Sequence, residues 1–152
     1  WYSSSSQKVK NKLQTCQNKV IRFILDKPPR FHIGIEHFKD IGWLNVENRV
    51  SQLKLNHMYK IYNDLAPEYL TCSTVKSNTR SGIATRSSSY NFIVPFTKGA
   101  NSLSFNKTGI NLWNSLPVDV KKCNSISSFK KCVKSSLFDS MQAANDCDFI
   151  YY

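Results

Sequence analysis

The sequence predicts a compact, mainly α-helical domain with a small β-hairpin and a flexible basic Ser-rich loop. Three observations point there. Apolar residues recur at helical spacing through most of the chain, Pro and Gly punctuate those runs at intervals typical of short helices, and only one stretch alternates as a strand does. A hydrophobic fraction of 41% in 152 residues, with nine Phe, seven Tyr and three Trp, is enough for one core. The expected organisation is therefore a single basic helical domain over residues 1–138, followed by an acidic, disordered tail over 139–152.

From Gln7 to Lys27 the residues Val9, Leu13, Cys16, Val20 and Phe23 recur in steps of four and three, and Pro28-Pro29 ends the run. That spacing predicts a helix with this stripe turned inward. Lys8, Lys12, Thr15, Lys19 and Arg22 form a second row beside it. Two readings of that row stand, a solvated face or a ridge that meets phosphates. A short helix follows over 34–41, stopped by Gly42, and Trp43-Leu44 supplies an apolar anchor before Asn45, a good N-cap for the long helix that runs to Leu65. Met58, Tyr59 and Tyr62 fall on its core face. Ala66-Pro67 breaks it and opens a short helix through Leu70.

The Ser-rich stretch 73–89 carries Lys76, Arg80 and Arg86 and predicts the flexible loop. Tyr90 to Phe96 alternates, and Ser102 to Phe105 follows a turn through Lys98-Gly99-Ala100-Asn101, which predicts the hairpin, with Pro95 at its edge. Phe105 to Leu116 reads as a helix ended by Pro117. The final helix, about Ile126 to Phe138, should bury Phe129, Cys132, Val133 and Leu137 and show Lys130, Lys131 and Lys134 on its other face.

Twenty-one Lys and Arg face ten Asp and Glu, a net charge of +11. The positive charge comes in two blocks, residues 1–30 and 71–134. An uncompensated field of this kind fits an anionic partner, nucleic acid first, ahead of an anionic membrane or an acidic protein. No apolar run is long enough to cross a bilayer and no leader is visible, which makes the expected setting intracellular. Trp1 in place of Met suggests a piece cut from a longer protein. The five cysteines, Cys16, Cys72, Cys123, Cys132 and Cys147, form no C-x-x-C pair and do not combine with His32, His37 or His57 at ligand spacing. Reduced, buried thiols are expected, with no metal site and no cofactor.

Catalytic constellations are not seen either. Two-metal polymerases and nucleases need clustered carboxylates, whereas Asp26, Glu36, Asp40, Glu47, Asp64, Glu68 and Asp119 are scattered and Asp146 with Asp148 lies in the tail. No phosphate loop, G-x-S-x-G or G-x-G-x-x-G occurs. The expectation is a chain with no catalytic residues of its own and no small-molecule substrate.

An ordered set of motifs resembles a known family. Lys12-Leu13-Gln14, Gln17-Asn18-Lys19-Val20-Ile21-Arg22-Phe23-Ile24, Gly42-Trp43-Leu44 with Arg49, and Tyr59-Lys60-Ile61 ahead of Ala66-Pro67-Glu68-Tyr69-Leu70 make up the first half. Thr85-Arg86-Ser87, Val94-Pro95, Ser104-Phe105, Gly109, Leu112-Trp113-Asn114-Ser115-Leu116-Pro117 and Ser128-Phe129-Lys130 make up the second. Together they resemble the carboxy-terminal region of reverse transcriptases from LINE-like, jockey-type non-LTR retrotransposons, across roughly residues 1–138. The resemblance implies a domain downstream of the polymerase palm in a protein that copies RNA into DNA at a nicked chromosomal site, made in the cytoplasm and working in the nucleus. Neither the palm's aspartate motif nor the zinc knuckle of some relatives is in this chain. Its implied partners are RNA or an RNA–DNA hybrid and the upstream polymerase domain, with no membrane. The candidate nucleic-acid contacts are Lys8, Lys12, Lys19, Arg22, Arg49, Arg80, Arg86, Lys130, Lys131 and Lys134. Trp43, Leu44, Pro67, Tyr69, Trp113, Asn114, Leu116 and Pro117 are expected to be structural, with Asn114 capping a turn. A bracing module of the polymerase that binds no nucleic acid is the competing expectation.

Overall fold

The computed structural model describes residues 2–77, 90–96 and 103–148, with backbone alone for the last five. Helical periodicity is realised almost throughout: a 3₁₀ turn at Tyr2–Ser4 precedes helices α1 (Gln7–Ile24), α2 (Ile35–Ile41), α3 (Val46–Tyr62), α4 (Glu68–Thr71), α5 (Phe105–Ser115), α6 (Val118–Lys121) and α7 (Ile126–Asp148). The protein is mainly α. The chain divides into two compact units, residues 1–50 with 134–152 and residues 51–133, where the sequence predicts one. None of its described helices is long and apolar enough to cross a membrane.

Unit 1 is organised around Ile21, Ile33, Phe38, Leu44 and Met141, with Leu25, Phe31, Ile41 and Leu137 packed on them. Gly42 ends α2 in the left-handed region at φ 69°, where a side chain would be strained. The Gly42 N–H donates to the Lys39 carbonyl and the Trp43 N–H to the Phe38 carbonyl, so two of the last carbonyls of α2 are satisfied. The Asn45 side chain accepts from the Asn48 N–H at 2.8 Å and caps α3. Helix α7 continues ten residues past the expected end at Phe138, and Met141 is buried, so the tail predicted from residue 139 is helical through Asp148.

Helix α1 departs most from expectation. Val9, Cys16, Val20, Phe23 and Ile24 are exposed, Phe23 to 87%, while Ile21 is fully buried and Gln14 and Gln17 are half-buried. The inward face lies roughly a third of a turn from the predicted apolar stripe, at about 100° per residue. Two amides explain it. Gln14 Oε1 accepts from the Val46 N–H at 3.0 Å, and Gln17 Nε2 donates to the Leu44 carbonyl at 2.8 Å. These bonds serve backbone groups at the entry to α3 and turn the polar face inward. Gln14→Leu should cost about 1 to 2 kcal/mol, since it leaves the Val46 N–H without its acceptor. A denaturant melt with an unchanged midpoint would show that water replaces the amide.

Unit 2 is an aromatic core. Trp113 stacks on Tyr62 at 5.3 Å, Tyr59 stacks on Phe129 at 4.5 Å, and Phe92 lies 6.0 Å from Trp113. Leu55, Met58, Ile61, Ile110 and Val133 complete it. Gly109 lets α5 approach α3, since a Cβ there would sit 3.1 Å from Met58 Sδ. Among the described residues the expected hairpin is not shown. Phe92 instead forms an antiparallel bridge with Lys76, and Phe105 opens α5; residues 97–102 lie outside the described residues. The start of the Ser-rich loop is thus tied down at Lys76.

Asn114 does something other than cap a turn. Its Oδ1 accepts from the Phe92 N–H at 3.0 Å and its Nδ2 donates to the Phe92 carbonyl at 2.9 Å, as a neighbouring strand would. Asn114→Asp keeps the acceptor but sets a carboxylate against that carbonyl. It should destabilise by about 1 to 3 kcal/mol, read from a urea melt, whereas an unchanged midpoint would mean that the pairing contributes nothing.

Two aromatic anchors are corrected. Trp43 is 38% exposed and Tyr69 is 73% exposed. In the link between α2 and α3 Leu44 takes the buried position and Trp43 the outer one, while α4 is a single turn that buries nothing. Pro67 and Pro117 precede α4 and α6 with φ near the proline value, and Leu116 is half-buried.

Candidate nucleic-acid interface

Lys8, Lys12 and Lys19 are exposed along one side of α1 and border a shallow strip with Asn11, Thr15 and Cys16. The row predicted from helical spacing is therefore a real surface feature, and it lies beside the outward apolar stripe rather than beside a buried one. Arg22, the fourth cation of the row, is half-buried, and its Nε donates to the Phe31 carbonyl at 2.7 Å. That bond fastens α1 to the loop ahead of α2.

Arg49 is exposed in the first turns of α3. Lys130 and Lys131 are exposed on α7. Lys134 is half-buried, with its Nζ 5.8 Å from the centre of the Phe138 ring. Arg80 and Arg86 lie outside the described residues. Lys8, Lys12, Lys19, Arg22, Arg49 and Lys134 belong to unit 1, and Lys130 and Lys131 to unit 2. Within unit 1 the α1 row is the coherent cationic surface. Exposed Lys presents three rotatable donors on a flexible stem, which suits phosphate held as a point charge rather than base edges read in register.

The cysteines differ from expectation. Cys16, Cys72 and Cys132 are exposed free thiols and Cys123 is half-buried, its Sγ 3.9 Å from that of Cys132. Burial, with the Cys132 contact, pushes the Cys123 thiol above its ordinary range and keeps it protonated. Among the described residues no three His, Cys, Asp or Glu converge as a metal site requires.

Sequence reasoning missed Lys121. A Lys-Lys pair in a basic stretch reads as solvated surface, yet Lys121 is 4% exposed. Its Nζ donates to Asn91 Oδ1 at 2.9 Å and to the Asn114 carbonyl at 3.1 Å. Burial lowers its pKa. The one local signal for this was position, since a lysine shortly after a helix that ends at Ser115 can reach back to its terminal carbonyls. No family model, curated protein or solved structure matches the chain.

Proposed function

We propose that this chain is a non-catalytic, nucleic-acid-holding domain of a non-LTR retrotransposon reverse transcriptase. In this reading it supports RNA-directed DNA synthesis by gripping RNA or an RNA–DNA hybrid through the backbone, for a palm that lies outside the chain. The observation that carries the reading is the exposed row Lys8, Lys12 and Lys19 on α1, in a protein of net charge +11. The motif order from Lys12 to Lys130 supplies the reverse-transcriptase context. Backbone contacts displace condensed counterions, so affinity for RNA should fall by orders of magnitude between roughly 50 and 200 mM salt, with little dependence on sequence. A filter-binding titration on the isolated chain tests this, and no binding at the low-salt end overturns it.

A second reading has its own observation. The outward stripe Val9, Cys16, Val20, Phe23 and Ile24 is a surface that water covers at a cost and another protein would cover at a gain. It favours a module that braces the polymerase body. Val20→Asp with Phe23→Asp should then leave folding stability within about 0.5 kcal/mol, because neither side chain is buried, while weakening docking to the polymerase. A large drop in melting temperature in that double variant would show that the stripe belongs to the fold.

A further inference from the structure

Unit 2 has a concave surface of its own, built from none of the candidate contacts named from the sequence. Tyr62, Asn63, Tyr90, Lys121, Lys122 and Asn124 border a pocket of about 540 Å³. No Asp or Glu is among its described lining residues. Two lysines, two asparagines, two tyrosines and Cys123 therefore line it, and the Asn63 Nδ2 also donates to the Tyr59 carbonyl at 2.9 Å. The Lys122 Nζ stands 5.5 Å from the centre of the Tyr90 ring.

Lys121 makes the pocket unusual. Its two hydrogen bonds go to neutral oxygens, and an ammonium group carries three donors. A buried cation without a counter-anion carries a desolvation penalty that an anion close by would offset. The C-terminal end of α5 accounts for part of its placement, since the Asn114 carbonyl belongs to that helix's last turn and favours positive charge. That account does not extend to Lys122, nor to a pocket rim without acids. The two lysines disfavour a metal cation, and their ammonium groups together with the amide N–H donors match a tetrahedral oxyanion, whose several oxygens each accept.

We propose that this pocket is a phosphate-binding site, formed by Lys121 and Lys122 with Asn63 and Asn124 and flanked by Tyr62 and Tyr90. Its volume exceeds what a free phosphate needs, and the phenol rings offer faces for the rest of a nucleotide unit. The assignment of that phosphate to a nucleic-acid strand rests on the function proposed above. The anion chemistry does not.

The test follows backbone amides of the ¹⁵N-labelled full chain while three probes are added at constant ionic strength. They are inorganic phosphate exchanged against chloride, a short RNA with a 5′-phosphate, and the same RNA ending in a 5′-hydroxyl. Saturable shifts are expected at Asn63, Tyr90 and Lys121 to Asn124, largest with the 5′-phosphorylated RNA. Lys122→Gln, on an exposed side chain, should weaken binding at the pocket about ten-fold, the loss of one charge-assisted bond, with the melting temperature unchanged. Lys121→Met removes a buried, hydrogen-bonded cation and so tests folding together with binding; the inference stands on Lys122→Gln and on the wild-type titration. Linear, non-saturating drift with all three probes overturns the site, as does unchanged affinity in Lys122→Gln. RNA binding that is steep in salt but leaves these amides unmoved overturns the site and keeps the holding function. Saturation by inorganic phosphate without RNA binding keeps the site, as one for free phosphate, and overturns the holding function.

Discussion

Trp113→Ala is expected to unfold unit 2. The indole is fully buried, stacks on Tyr62 at 5.3 Å, and meets Phe92 and Phe129 at ring-centre distances of 6.0 and 5.8 Å. Its Nε1 donates to the Tyr90 carbonyl at 2.8 Å. Removing a buried Trp costs on the order of 3 to 5 kcal/mol for forfeited packing and the cavity left behind, against a total stability for a domain of about 5 to 15. The Tyr90 carbonyl also loses its donor, and the segment Tyr90 to Phe96, held from one side by this indole and by Asn114, loses a principal tether. Trp113→Phe is the intermediate case, because it keeps one ring in the stack but removes the N–H together with part of the indole's buried volume, for roughly 1 to 3 kcal/mol. Trp43→Ala is the matched control at 38% exposure and should cost less than Trp113→Ala by at least about 2 kcal/mol. Denaturant melts of the three variants decide the point. Equal losses for the two alanine variants would mean that the core of unit 2 is not where the aromatic stack lies.

The two tryptophans show what the sequence could and could not reveal. Helix ends are legible because the signals are local: Gly42 in the left-handed region, the Asn45 cap, Pro67 ahead of α4 and Pro117 past the end of α5, although the short helix α6 that Pro117 opens is not expected from the sequence. Which face of a helix turns inward is decided elsewhere in the chain. The apolar stripe of α1 has the spacing of a core face, and amide bonds from Gln14 and Gln17 to the entry of α3 decide otherwise. Trp43 and Leu44 are equally apolar neighbours, and only the path of the link between α2 and α3 distinguishes them. The acids and polar residues beyond Phe138 suggest solvent and an end to α7, yet Met141 has a hydrophobic cluster to join. For the candidate site the cationic row on α1 is readable from spacing alone. The burial of Lys121 is not, since it depends on Asn91 and on the last turn of α5.

Changing Lys8, Lys12 and Lys19 together to Gln should flatten the salt dependence of RNA binding by about one unit of slope for each phosphate that loses its lysine. At low salt the same variant should drop by orders of magnitude in affinity if all three lysines meet the strand. The three side chains are exposed on α1 and none packs in the Ile21 cluster, so the fold should be unaffected. Arg22 is left out of the set. Its bond to the Phe31 carbonyl means that Arg22→Gln would loosen the loop ahead of α2 and confuse a structural loss with a binding one. Lys130→Gln with Lys131→Gln removes two exposed charges from α7, against three from α1, and controls for where the charge is lost. Loss of binding in the control alone would move the interface from α1 to α7. If neither variant shifts the slope, the lysine row is solvated surface, and the apolar stripe beside it becomes the functional face of α1.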